Sequence, residues 1–243
     1  MNRRAFLAGC GAVASLGVFG RGGLASDDPL RIRVWLSDRA AEYDRAGSRV
    51  CEHLDSALAP VGDGVRVTMA EETVTLPAEG GRQVLARHWP RRVLEGAVGG
   101  DVDPTTGVNL LVTDGDPTEQ PAGYGRRYVA ASTGARYIAE MDLPEEASGD
   151  LRYSVAGVAT QLLLHECGHA LGLTHAHGRA TVSDGRVVAS PMVGSYLWRP
   201  AEVRRRYLDE TNACGDPLPP PTVEGERRLG LRYSPCALGA LPS

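Results

Sequence analysis

The sequence predicts a mixed α+β domain, and three observations carry that prediction. The N-terminal half alternates Val- and Leu-rich segments of strand length with longer segments whose apolar residues recur at helical spacing. A strongly apolar helix then carries histidines one turn apart. Beyond it, turn and hairpin signals give way to a Pro-rich run at 218–222 that cannot form regular ladders.

Leu30 to Leu36 alternates apolar and charged residues and reads as the first strand, with Ser37 and Asp38 offering caps for a helix from Arg39 to Leu58. Ala46, Val50, Leu54 and Leu58 form the apolar stripe of that helix, and Pro60, Gly62 and Gly64 end it. Val65 to Leu76 reads as a second strand, followed by a helical stretch over 83–98. His53, His88 and Trp89 are read as packing residues, because no other chemical group accompanies them at useful spacing.

Val108 to Thr113 is an apolar strand that turns at Asp114-Gly115 into a Gly- and Pro-bearing loop reaching Gly125. Arg127 to Ser132 and Ala135 to Met141 read as a hairpin joined at Thr133-Gly134. Asp150 or Ser154 can cap the next helix, which runs through Val155, Val158 and Leu162 to about Leu171. Thr181 to Ala189 reads as a hairpin centred on Asp184-Gly185, Ala201 to Leu208 as a helix, and the remainder to Ser243 as a loosely structured tail.

The segment with chemical content is His165-Glu166-Cys167-Gly168-His169-Ala170-Leu171-Gly172-Leu173-Thr174-His175. His165 and His169 are four apart, so on a helix they lie on one face and can address one cation. Gly172 can take the left-handed conformation that ends a helix and swings the chain beneath it, bringing His175 to the same cation. Three neutral imidazoles leave the fourth tetrahedral position of a zinc ion open, as in a catalytic site. Glu166 points about a quarter turn away, toward a bound water rather than the metal, and is the candidate general base. His177 is close enough to compete as third ligand, but the spacing favours His175. Cys167 lies about 200° round the helix from His165 and faces the interior.

This stretch, with Ser190-Pro191-Met192 further on, resembles the metzincin clan of zinc endopeptidases, whose matrixin- and adamalysin-like members carry H-E-x-x-H-x-x-G-x-x-H and a methionine turn. The resemblance implies a twisted, mostly parallel sheet with an antiparallel edge strand and two packed helices, an N-terminal subdomain at 30–172 and a small irregular C-terminal subdomain at 173–243. It makes His165, His169 and His175 the zinc ligands, Glu166 the general base and Met192 the apolar floor beneath the imidazoles. It also implies that a peptide substrate lies antiparallel to the edge strand, held by main-chain hydrogen bonds. Some clan members place a tyrosine two residues after the methionine as an extra ligand; Gly194 stands there, so that role is not implied. The stretch Val193 to Trp198 would wall a hydrophobic or aromatic pocket for the residue after the scissile bond.

The chain has 243 residues and 42% hydrophobic content, which suits a globular protein with a sizeable core. A net charge of −4 offers no basic field for nucleic acid, and all 26 cationic residues are arginines. Asn2-Arg3-Arg4-Ala5-Phe6-Leu7 and the uncharged run to Gly20 resemble a twin-arginine export signal cleaved near Ala25, giving an expected segment at 1–25 and an extracellular or cell-surface location. Membrane contact is then transient, through the signal, or through a lipid anchor at Cys10 in the lipobox-like Leu7-Ala8-Gly9-Cys10. Four cysteines remain after the signal, with Cys214–Cys236 the favoured bridge and Cys51 and Cys167 either a bridge or two buried thiols. The chain is expected to be monomeric and to take a protein or peptide substrate. The competing reading is an exported zinc- or peptide-binding protein without turnover, against which Glu166 argues.

Overall fold

The computed structural model describes residues 29–79, 81, 84–116, 118–143, 149–220 and 222–241. The expected export segment and Cys10 lie outside them. A five-stranded sheet of order β2-β1-β3-β5-β4 is formed by β1 (Leu30–Leu36), β2 (Val65–Met69), β3 (Val108–Thr113), β4 (Gly123–Arg126) and β5 (Val129–Thr133). The first four strands in spatial order are parallel, and β4 closes the edge antiparallel to β5.

Alternation along β1 and β3 sends Ile32, Val34, Leu110 and Val112 to one face, where α1 (Ala46–Leu58), α3 (Ala135–Glu140) and α4 (Val155–Ala170) cover them. Trp35 and Leu111 point to the other face and pack with Trp89 and Val93 of α2 (Trp89–Gly96). The fold is therefore mixed α+β, with a mostly parallel sheet between helical layers. Among the described residues no helix is long and apolar enough to cross a membrane.

Several expected elements shift. The first helix starts at Ala46, and the Ser37 hydroxyl accepts instead from the Ala40 amide at the entry to a separate 3-10 turn at Ala40–Glu42. Strand β2 ends at Met69, leaving Val74 only an isolated bridge to Ser37. The expected hairpin of 127–132 with 135–141 does not form. The antiparallel pair is instead β4 with β5, and Ala135–Glu140 is helical, burying Ala135, Ile138 and Ala139 at helical spacing. His53 and Trp89 are buried as expected, whereas His88 is exposed.

The C-terminal part is more regular than the sequence suggests. A second sheet of order β6-β9-β8-β7 joins β6 (Asp150–Arg152), β7 (Ala180–Ser183), β8 (Arg186–Ala189) and β9 (Glu226–Gly230). Since β6 precedes the long helix and pairs with β9, the expected boundary at residue 172 does not separate the two sheets. The tail expected to be loose supplies β9, α6 (Pro235–Gly239) and Leu231, Tyr233 and Ala237 to the main core. Cys214 and Cys236 form a disulfide, and Cys51 and Cys167 are free. Around this bridge, the Ala213 amide donates to Ala176 O (2.6 Å), Asn212 Nδ2 to Gly178 O (3.1 Å) and the Ser234 hydroxyl to His177 O (2.6 Å).

Candidate metal centre

Helix α4 begins at Ser154, whose hydroxyl accepts from the Gly157 amide, while Asp150 is engaged by Arg228 in the second sheet. Leu163, Leu164 and Cys167 anchor it in the core, so its cavity-facing side is rigidly presented. Past its last residue, Ala170, the chain turns at Gly172, at φ +96°, with Leu173 N–H donating to Gly168 O and Gly172 N–H to His169 O. This paired closure reverses the chain and delivers His175 beneath the helix.

The three Nε2 atoms form a nearly equilateral triangle: His165–His169 3.1 Å, His169–His175 3.2 Å and His175–His165 3.2 Å. His165 Nδ1–H donates to Pro191 O (2.7 Å) and His169 Nδ1–H to Leu173 O (3.0 Å), and the Tyr207 backbone serves the His175 ring. The carbonyls at His165 and His169 favour the Nδ1–H tautomer, which turns their Nε2 lone pairs into the triangle. The three nitrogens could together hold one cation. A tetrahedral zinc at about 2.0–2.1 Å from each nitrogen needs them about 3.3–3.4 Å apart, within a few tenths of an ångström of the observed triangle.

Burial lowers all three histidines. His165 falls to about 3, with the neighbouring imidazoles adding to the effect, and His175 to about 4. The imidazoles are therefore neutral at neutral pH, as ligation requires. The same shift sets an acid response. In the metal-free protein the unfolded chain takes up protons below about pH 6.5 while the folded imidazoles do not, so this contribution is intact above pH 6.5 and declines toward about pH 4 for His175 and about pH 3 for His165. From His165 alone, urea unfolding of chelated protein should show a loss of about 2 kcal/mol at pH 5 relative to pH 7. Stability unchanged between those pH values would contradict it.

Glu166 is nearly buried and lies against the edge strand β4. A Cβ at Gly123 would stand 2.6 Å from Glu166 Oε1, and one at Gly125 would stand 2.5 Å from Glu166 O and 2.7 Å from His169 Cβ. Only glycine at both positions lets strand and helix approach this closely, so β4 runs directly along the carboxylate. Met192 is fully buried below the helix, against Gly168, where any side chain would collide with its sulfur. His177 stands apart from the triangle, its Nδ1 accepting from the Thr174 amide at 2.9 Å.

A cavity of about 320 Å³ opens beside His165 and Glu166. Gly194, Ser195 and Tyr196 form part of its wall, with Leu162, Tyr153 and Tyr207 around it and Arg199 exposed at its rim. Tyr196 lies 5.1 Å from the His175 ring and stacks on Tyr207 at 4.3 Å between centroids. The sequence reading missed Gly123, Gly125 and Gln161 as parts of the site. The i, i+2 spacing of the glycines was a usable signal, as was the position of Gln161 one turn before His165.

No family model matches the sequence, and no curated protein matches it. Among solved structures, the chain is similar to archaemetzincin from Methanopyrus kandleri, at 22% identity over 63% of this chain and 79% of that one, with a TM-score of 0.34.

Proposed function

We propose that the chain is a zinc-dependent endopeptidase of the metzincin type, exported by the twin-arginine route and acting as a monomer on protein or peptide substrates. The observation that carries this reading is the triangle of imidazole nitrogens with Glu166 beside it at the mouth of a cavity. His165, His169 and His175 would hold the zinc, which when bound supplies Lewis-acid polarisation of a carbonyl and acidification of water.

The chain's own residues do the rest. The outer edge of β4 aligns an extended substrate by main-chain hydrogen bonds, antiparallel to the strand. Glu166 accepts the proton of the attacking water and passes a proton to the departing amine. Met192 and the three backbone partners hold the imidazoles in place, so little reorganisation is needed during turnover. The cavity receives the side chain that follows the scissile bond.

The test is mass spectrometry of products from a peptide library, with and without chelator. Internal cleavage that disappears on chelation and returns with added zinc is expected. Zinc binding without cleavage of any library member would replace this reading with that of a binding protein.

A further inference from the structure

The cavity beside the metal centre carries a fixed hydrogen-bond acceptor. Gln161 sits one turn before His165 on the same face of α4 and is 2% exposed. Its Nε2 donates to Ala189 O at 2.7 Å on β8 and to Gly230 O at 2.9 Å on β9. Both amide hydrogens are thus spent on strands of the second sheet, and a flipped amide would set Oε1 against two carbonyl oxygens. The orientation is locked, and Oε1 is left on the side of the cavity that Gln161 helps line. That oxygen accepts no hydrogen bond from the described residues. Gly194 keeps it uncovered: a Cβ there would lie 3.7 Å from Oε1, in contact with it.

We infer that Gln161 makes the cavity select a neutral side chain with a hydrogen-bond donor at its tip, tyrosine before all others, as the residue following the scissile bond. This rests on the peptidase reading above. Carboxylate side chains are excluded because Oε1 would meet an unprotonated oxygen. Lysine and arginine gain little, because Arg199 at the rim and the cation the histidines would hold offset the attraction of the Glu166 carboxylate in the same lining. Tyr153, Tyr207, Val158 and Leu162 favour a large apolar stem, and tyrosine combines such a stem with a terminal O–H.

The test compares peptides that differ only in Tyr against Phe after the cut, with Thr against Val as a second pair. Because Gln161 is almost wholly buried, Phe in the cavity would leave Oε1 without a partner, so kcat/KM should favour Tyr by about five- to 150-fold, the cost of one unpaired buried acceptor. The same ratio should appear in the binding of uncleaved Tyr and Phe peptides to Glu166→Gln protein, followed by fluorescence anisotropy. Gln161→Met, close in size, should bring both ratios to about one, which a structural loss alone would not do. Equal rates for Tyr and Phe in the wild type, or a preference for Lys, Asp or Glu, would overturn the inference and leave the peptidase reading standing. No cleavage of any peptide by zinc-loaded wild type would overturn both.

Discussion

Replacing Glu166 with glutamine should reduce turnover by about 10²–10⁴ while zinc content and folding are retained. The two side chains are nearly isosteric, so the close contacts with Gly123 and Gly125 survive and β4 keeps its place along the helix. All three imidazoles also keep their backbone partners. What disappears is a group that can take a proton from water and return one to an amine. Steady-state cleavage at matched zinc occupancy measures this, and equal rates for the two proteins would remove Glu166 from the reaction. The substitution also separates the enzyme from a zinc-binding protein, for which the change should be silent.

His175→Ala should weaken zinc binding by about 100-fold or more, since even outer partners of ligating histidines are worth about 10–100-fold in affinity. His177→Ala should leave zinc affinity unchanged. Its ring is occupied as an acceptor for the Thr174 amide, so its loss should cost about 1 kcal/mol of local stability and nothing at the metal. Competition against a chromophoric chelator reads both variants directly. Retained zinc in His175→Ala together with loss in His177→Ala would reassign the third ligand.

The histidine cluster that could hold a metal was legible because its determinants are local. Eleven consecutive residues, 165–175, contain all three histidines, the carboxylate and the glycine that turns the chain. Strand β1, helix α4 and the β7–β8 hairpin were legible for the same reason, each announced by its own periodicity or turn. Errors came where local pattern was ambiguous. Residues 135–141 place apolar groups at positions that suit either a strand or one helical face, and packing against α4 decided for the helix. Gly123 and Gly125 hid β4, because glycine is a poor strand former and here serves a close approach that only the assembled fold reveals. The rest of the second sheet was beyond reach, since β6 and β9 pair across some seventy intervening residues.

The Cys214–Cys236 bridge has a mechanical consequence for the third histidine. Loop 175–178 is an arch resting on two abutments, Asn212-Ala213 on one side and Ser234 on the other. Each abutment lies within two residues of a bridged cysteine, so the covalent link sets their separation and the arch cannot spread. The second abutment leads into α6, whose Ala237 is seated in the same core as Leu164 of α4. His175 is thus referenced to the same rigid frame as His165 and His169, although it sits on a loop and they sit on a helix.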